Sequence, residues 1–353
     1  MNFLFTEDQK TFQESLAAFL ANEVTPDTIR ASWETDSGRS PEMWQKLAEM
    51  GVLGMLVSED HGGLALSELE LVLPLEETGR VALAEPLVET AAVAVPLLRD
   101  CGNPALAAQW LPKIAAGEAV VTVGLEINPV VTDAHIADLF LLQSGDEIHA
   151  VTKEAVQAVA QPATDPSRKL FTLEWTPSAD TLVAGGEQGR TLLDAALDRA
   201  ALATAAQLLG MAQQLVDITV EYAKERQQFG VPIGSFQAIK HHLASVQVAI
   251  EFARAPVARA ADSVARALPT RATDVSQAKL LASEAAVKAA RTALQVHGGI
   301  GYTWEVHLHI WMKRAWALEA AWGSRNWHRR RIGKALFDES AERLPSFGFD
   351  AAV

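Results

Sequence analysis

The sequence predicts a mainly helical α+β fold in which a small β domain separates two helical regions. Three observations predict it. Residues 1–117 carry repeated helix-start and helix-end signals, residues 118–185 hold short β-rich runs between turn residues, and residues 186–353 are alanine-rich with long amphipathic patterns. We therefore expect a helical N-terminal domain, a middle β domain and a C-terminal antiparallel helix bundle.

Composition narrows the functional classes. The chain has 353 residues, 49% of them hydrophobic, which is enough for two or three domains with a sizeable core. Its formal net charge of -14 disfavours nucleic acid and anionic membrane surfaces as general partners. The single cysteine, Cys101, excludes an internal disulfide and a cysteine-rich metal site. With no signal-peptide or membrane-span pattern, a soluble cytoplasmic protein without a metal site is expected.

The N-terminal region contains four predicted helix starts. Each start pairs a residue that caps the free backbone N–H groups with a proline or a reciprocal side chain. They are Thr6 with Gln9, Ser40 before Pro41, Ser67 with Glu70, and Asn103 before Pro104. Gly51 and Gly117 mark two helix ends, and residues 51–63 are typical of a turn-rich connection.

Four runs in residues 118–185 have the composition of strands. They are residues 119–123, 138–142, 147–151 and 170–175, and Asn-Pro, Ser-Gly-Asp and Asp-Pro-Ser turn signals separate them. The runs predict a small β domain that ends near Thr181.

The C-terminal region predicts at least four helices, the first three over residues 190–228, 235–267 and 272–297. Gly230 is expected to stop the first helix, and Ser235 to cap the second. Four tryptophans of the last helix pair, five or six residues apart, indicate bundle or oligomer packing: Trp311, Trp316, Trp322 and Trp327. The run Arg329–Arg331 is expected to be a solvated helix end.

Polar and aromatic residues that packing does not require gather around the first helix-to-helix turn. Arg226, Gln228 and Gln237 lie there, with Phe229 and Phe236 beside them. A guanidinium, amides and aromatic faces suit a planar ligand that carries phosphates. The same residue types also fit a plain corner with a solvated arginine and core phenylalanines.

Two motifs resemble those of the acyl-CoA dehydrogenase family. One is Arg-x-x-Phe-Gly at Arg226 with Phe-Gln at Gln237, and the other is Gln295-Val-His-Gly-Gly-Ile-Gly-Tyr302. The resemblance implies the predicted three-domain fold, FAD as cofactor and an acyl-CoA substrate. It also implies a cofactor-binding role at the nucleotide side of FAD for Arg226, Phe229, Gln237, Gln295 and Gly299.

The middle domain departs from the family pattern. Members carry an acidic residue followed by Gly-Ser-Asp, and later a tryptophan-bearing strand, which together hold the flavin ring. This chain has Leu125-Glu-Ile-Asn-Pro-Val-Val-Thr-Asp133 at that place, without Gly-Ser-Asp. The ring-holding half of the site is therefore expected to be missing or remodelled.

The family's catalytic base is also missing at both usual positions. The reaction needs a carboxylate that takes the α proton of the acyl thioester. Counting from Arg314 places Trp322 or Gly323 at one position, and the alternative position on the first bundle helix is Ala200. Glu319, one turn before Trp322, is the nearest carboxylate and could serve only if the helix register shifted by about 5 Å.

One further residue matches a family contact to substrate. Asp198 corresponds to an aspartate that contacts the pantetheine arm of acyl-CoA, although the arginine that follows it in the family is Ala201 here. An aspartate paired with nearby arginines on a helix surface is the alternative interpretation.

The chain lacks the family's ring-holding and base residues but retains those of the nucleotide side. This combination favours the interpretation that the chain is one subunit of a heteromer. In family tetramers one subunit holds the flavin ring and its neighbour holds the nucleotide side, and this chain retains only the second set. It is similar to short members that pair with longer ones in actinobacterial steroid side-chain degradation. We expect a second acyl-CoA dehydrogenase-like subunit and an electron-transfer acceptor as partners. A self-sufficient homo-oligomeric dehydrogenase, and a non-catalytic CoA-binding or structural protein, are the alternatives.

Overall fold

The computed structural model describes residues 5–337, and the predicted continuation of the last region beyond residue 337 lies outside them. The N-terminal region folds into short helices around a buried apolar core. Their bounds are α1 Glu7–Glu23, α2 Pro26–Trp33, α3 Pro41–Glu49, α4 Glu68–Arg80, a π-helix Val88–Ala94, α5 Val95–Asp100 and α6 Pro104–Ala115.

The four predicted helix starts in this region are confirmed. Thr6 and Ser67 form reciprocal capping boxes with Gln9 and Glu70. The side chains of Ser40 and Asn103 each accept a backbone N–H of the following turn. The structure adds α2, the π-helix and α5, which the sequence analysis did not predict.

The middle region consists of two small sheets. One has the strand order β1 Val121–Gly124, β3 Leu139–Ser144, β4 Glu147–Thr152 and β7 Leu182–Ala184, and only its β1–β3 pair is parallel. The other is antiparallel, with the order β2 Val131–Thr132, β6 Leu170–Glu174 and β5 Gln157–Gln161. The four predicted runs are strands here, whereas β2, β5 and β7 were missed because each is short or carries polar and small residues.

The C-terminal region is a helix bundle. Its helices are α7 Gly186–Glu225, α8 Gln237–Ala265, α9 Arg271–His297, α10 Leu308–Ala320 and α11 Arg325–Phe337. Helices α7, α8 and α9 pack on one another through alanine-rich faces, and α4 of the N-terminal region packs against α7. Gly79 and Gly210 allow this close contact, because a Cβ at either one would clash with the backbone of the facing helix.

Two details of the predicted helix-to-helix turn were wrong. Helix α7 ends at Glu225, not near Gly230, because Arg226 adopts an extended conformation and a short hairpin of β8 Gln227–Gln228 and β9 Val231–Pro232 follows. Ser235 does not cap α8: its hydroxyl donates to the Pro232 carbonyl, and no side chain caps the helix at Phe236.

Candidate functional site

Three chain segments meet at one end of the bundle. The Tyr222 ring near the end of α7 stacks on the His297 ring at the end of α9, with centroids 4.2 Å apart. The Tyr222 hydroxyl also donates to the His297 carbonyl at 3.4 Å. Lys288 on α9 donates to the Ser245 carbonyl on α8 at 2.7 Å, which aligns the start of α8 with the end of α9. The two sequence motifs therefore lie at the same end of the bundle.

We define the bundle-end surface by the five residues predicted to bind the cofactor, all of which are exposed: Arg226, Phe229, Gln237, Gln295 and Gly299. Arg226 and Gln237 form no side-chain hydrogen bond with residues 5–337, so both keep their polar groups available. The interpretation of Phe229 and Phe236 as core residues is wrong, since their exposed fractions are 92% and 37%. Their rings instead meet edge to face at 6.1 Å on the outside of the molecule.

Backbone at this surface is open to a close ligand. Gly298 has a φ of +65°, and neither Gly298 nor Gly299 has a heavy atom within 4 Å of the position a Cβ would take. A turn with bare, solvent-facing backbone can approach a phosphate or ribose without steric conflict. The residues of the bundle-end surface thus fit the nucleotide side of FAD, while they offer no enclosed cavity for its ring.

A second site lies between the β strands and α10. This central pocket has a volume of about 430 Å³, within the range of about 300–1,000 Å³ usual for small-molecule sites. One wall comes from residues 123–132 and 162–170, and the other from residues 313–322 of α10 and the corner after it. The pocket is therefore not built by the β domain alone.

The corner after α10 is held by buried polar contacts. The Lys279 ammonium donates to the carbonyls of Leu318, Glu319 and Gly323 at 2.9, 3.1 and 3.4 Å, and burial lowers the pKa of Lys279 to about 7. The Trp322 N–H donates to the Asn128 side chain at 3.0 Å. Asn128 belongs to the segment that replaces the family's Gly-Ser-Asp, so this segment is tied to the corner.

The predicted catalytic base is not positioned for its role. The Glu319 side chain accepts from the Arg325 side chain at 2.9 Å and does not line the central pocket. Trp322 and Gly323 occupy the corner with positive φ values, +56° and +95°, and Ala200 is fully buried in α7. Glu319 is therefore a partner of Arg325 in this structure and is not among the residues that line the pocket.

Asp198 is fully buried and paired twice. One carboxylate oxygen accepts from Arg271 at 2.7 Å, and the other accepts from Arg331 at 2.6 Å. The ion pairs join α7, α9 and α11, so the predicted contact to the pantetheine arm finds no support in this geometry. The expectation of a solvated helix end at Arg329–Arg331 also fails for Arg331, because it reaches inward to Asp198.

The sequence analysis missed Glu89. It lies in the π-helix, lines the central pocket, and accepts a hydrogen bond from Thr132 at 2.7 Å. π-Helical turns occur frequently at functional sites because the extra residue redirects a side chain. The available signal was a lone acidic residue in the apolar run of residues 87–98.

Comparison with known proteins identifies the family. The family model described as "Acyl-CoA dehydrogenase, N-terminal domain" matches residues 6–118. The model described as "Acyl-CoA dehydrogenase, C-terminal domain" matches residues 187–337. The chain belongs to the acyl-CoA dehydrogenase family. It is a FAD-dependent oxidoreductase of the type that introduces a double bond into an acyl-CoA thioester.

Individual relatives cover almost the whole chain. Acyl-CoA dehydrogenase IpdE2 of Mycobacterium tuberculosis is 34% identical over 310 residues, which are 88% of this chain and 91% of that protein. Among solved structures, the ChsE4-ChsE5 complex from Mycobacterium tuberculosis matches with a TM-score of 0.86 and 27% identity, over 97% of this chain and 100% of the other. The Tcur3481-Tcur3483 steroid acyl-CoA dehydrogenase variant matches with a TM-score of 0.84 and 25% identity, over 93% and 97%.

Proposed function

We propose that this acyl-CoA dehydrogenase chain works as one subunit of a heteromer, in which it contributes the nucleotide side of a FAD site that a second, related subunit completes. The exposure of the bundle-end surface carries the proposal. A guanidinium, two amides and a 92% exposed phenylalanine face outward together, which is typical of a site shared across a subunit boundary.

Exposed apolar side chains midway along α8 and at the end of the second motif support a protein partner. Phe252 and Val248 lie one turn apart on α8 with exposed fractions of 74% and 54%, and Tyr302 at the end of the second motif is 80% exposed. Exposed aromatic groups of this size are costly in water and are commonly covered by another subunit. Two of the similar solved structures, ChsE4-ChsE5 and Tcur3481-Tcur3483, are named as pairs of proteins, which makes a related second chain the favoured partner.

The chain's own residues would divide the work at the shared site. Arg226 would bind the pyrophosphate, Gln237 and Gln295 would orient the polar groups of the nucleotide, and the open backbone at Gly299 would allow close approach. Bound FAD supplies the acceptor for the hydride that leaves the β carbon of the acyl group. The family positions for the α-proton base hold Ala200, Trp322 and Gly323, so the partner is the proposed source of that base.

The substrate class and the electron acceptor are inferred from the relatives. The name of one similar structure includes a steroid acyl-CoA dehydrogenase, and we infer a steroid-derived acyl-CoA as the substrate class. An electron-transfer protein is the inferred acceptor of the reducing equivalents.

Purification of the chain alone and together with its native partner tests the proposal. We expect the chain purified alone to show no visible absorbance from bound flavin. The co-purified complex should carry FAD and dehydrogenate an acyl-CoA. Stoichiometric FAD and full turnover in a homo-oligomer of this chain would instead establish the self-sufficient enzyme. Tight acyl-CoA binding without flavin or partner would establish the non-catalytic alternative.

A further inference from the structure

An open groove with an excess of negative charge lies beside the bundle-end surface. It has a volume of about 970 Å³ and lies between α1, α4, the last turns of α7 and the segment that leads into α10. Tyr222 and His297 are part of its lining, and five carboxylates line it against one guanidinium. We call it the acidic groove, and its charged residues are Glu77, Arg80, Asp217, Glu221, Glu225 and Glu305.

The carboxylates of the acidic groove are only partly neutralised. Asp217 pairs with Arg80 at 2.8 Å, and Glu221 pairs with its helix neighbour Lys224 at 2.6 Å. Glu225 is exposed and forms no ion pair with residues 5–337. Since Glu221 and Glu225 lie one helical turn apart on α7, they place two exposed carboxylates side by side at the edge of the groove.

Apolar side chains form much of the remaining lining. They come from α1, from α7 and from the start of α10: Ala17, Ala21, Val24, Ile218, Leu308 and Trp311. An apolar lining with carboxylates at its edge fits an amphipathic helix that carries cations beside an apolar group.

Helix α11 presents such a surface. Arg330, Lys334 and Phe337 lie on one face of the helix, because successive members are four and three residues apart. All three are exposed, Phe337 to 82%, and neither cation forms an ion pair within the described part of the chain. We call these three residues the α11 stripe. Its two cations have the same one-turn spacing as the two carboxylates on α7.

The α11 stripe and the acidic groove are too far apart to meet within one chain. Arg331 on α11 pairs with Asp198 in the first half of α7, whereas Glu221 lies 23 residues further along the same helix. At 1.5 Å per residue, this separates the two surfaces by about 35 Å. An α11 stripe that occupies the groove therefore belongs to another molecule.

We propose that the acidic groove binds the α11 stripe of a second copy of this chain, so that two copies associate directly. Arg330 and Lys334 pair with Glu221 and Glu225, and Phe337 packs on the apolar lining. A two-fold arrangement lets each copy supply one stripe and one groove, and it closes the assembly at a dimer. The contact uses none of the residues of the bundle-end surface, so it goes beyond the proposed sharing of FAD with a second subunit.

Sedimentation velocity of the purified full-length chain, without flavin or the second subunit, tests the proposal. We expect a dimer that dissociates on dilution. The groove variant Glu221→Lys with Glu225→Lys, and the stripe variant Arg330→Glu with Lys334→Glu, should each raise the Kd of the dimer about 10-fold or more, because attractive pairs in both contacts become repulsive. Glu14→Lys with Glu49→Lys makes the same change in net charge as the groove variant at exposed positions outside the groove, and should leave the Kd unchanged.

A mixture of the two variants separates direct pairing from a loss of folding. In the mixture the reversed stripe meets the reversed groove, and the unchanged stripe meets the unchanged groove, so a heterodimer should form with about the affinity of the unchanged chain. An unchanged chain that stays monomeric, a dimer that neither reversal weakens, or a mixture that stays monomeric would overturn the proposal. Because the assay contains no flavin and no second subunit, such a result refutes this contact alone and leaves the proposed function standing.

Discussion

The Tyr222 ring lies stacked on the His297 ring, with an interplanar angle of 18° and the Tyr222 hydroxyl near the His297 carbonyl. This contact joins the end of α7 to the end of α9, which are 75 positions apart in the chain. It brings Arg226, with the hairpin that follows it, and the glycine turn that carries Gly299 to one end of the bundle. The bundle-end surface therefore depends on the packing of two helix ends as well as on the motifs themselves.

Replacing Arg226 tests the proposed phosphate contact. Because charge-assisted hydrogen bonds contribute about 1.5–3 kcal/mol, Arg226→Gln should weaken FAD binding by the heteromeric complex about 10-fold to 150-fold. The melting temperature of the flavin-free chain should stay the same, since the Arg226 side chain forms no hydrogen bond or ion pair with residues 5–337. FAD titration followed by fluorescence measures the change, with Arg329→Gln as the matched control; equal FAD affinities of the two variants would argue against the contact.

Replacing Phe252 tests the exposed apolar patch midway along α8. Phe252→Ser should weaken association with the partner subunit, because the 74% exposed ring is proposed to become buried there. The stability of the isolated chain should change little. Analytical ultracentrifugation of the complex measures the association, and Leu336→Ser, at an exposed position on α11, is the control. An unchanged dissociation constant for Phe252→Ser would place the partner on another face.

Replacing Glu319 tests whether the catalytic base comes from this chain or from the partner subunit. A general base contributes about 100-fold to 10,000-fold to the rate, so loss of a true base should reduce kcat by at least that lower factor. Glu319 is bound to Arg325, and we expect Glu319→Gln to leave kcat of the complex nearly unchanged. Steady-state kinetics with a saturating acyl-CoA provide the measurement. A loss of about 100-fold or more would return Glu319 to the role that its sequence position first indicated.

Replacing Asp198 tests whether it is a structural ion-pair centre. Asp198→Asn leaves Arg271 and Arg331 without their buried anion, and breaking a buried pair costs about 3–5 kcal/mol. We expect a corresponding fall in the free energy of unfolding, measured by denaturant titration. Glu284→Gln breaks the exposed pair with Arg329 and should cost at most about 1 kcal/mol. Full stability of Asp198→Asn with a raised KM for acyl-CoA would support a substrate contact instead.

We predict that the helix bundle loses stability in acid because its buried His328 side chain resists protonation. Its Nε2 lies 3.0 Å from the Trp322 carbonyl oxygen, which can only accept, and its Nδ1 lies 3.1 Å from the Ser276 hydroxyl in the buried interior of the bundle. Burial, and then the nearby Lys279 and Arg331 charges, lower the pKa of His328 from 6.5 to about 3. The unfolded chain takes up a proton near pH 6.5 and the folded chain does not, so stability is lost as the pH falls from 6.5 toward 3.

Thermal unfolding between pH 3 and 8 measures this loss. We expect His328→Gln to have a lower melting temperature near neutral pH and a shallower decline below pH 6.5. His242→Gln, at an exposed position, should keep the pH dependence of the unchanged chain. Parallel pH curves for all three proteins would contradict the assignment.

Local signals in the sequence predicted most of the helices. Cap residues such as Thr6 and Ser67 act within one turn of the chain, so their geometry follows from neighbouring residues. The π-helix was missed because residues 87–98 are apolar almost throughout and show no helical period. Ser235 failed as a cap because the Pro232 carbonyl, three residues earlier, accepts its hydroxyl.

The candidate sites were predictable only in part. The motifs indicated Arg226 and Gln295 as site residues, but their exposure follows from tertiary packing that one sequence does not specify. Asp198 looked accessible on a helix, whereas Arg271 and Arg331 come from two distant helices to enclose it. Glu89 and Arg168 meet in one pocket although 79 positions separate them.

None of the helices within residues 5–337 is long and apolar enough to cross a bilayer.

The ratio of bound FAD to this chain, measured by native mass spectrometry with and without the partner subunit, tests the central claim most directly. The account predicts no FAD on the isolated chain, FAD on the heteromer, and loss of that FAD when Arg226→Gln is introduced in this chain while the partner is unchanged. One FAD per chain on the isolated protein, unaffected by Arg226→Gln, would contradict it.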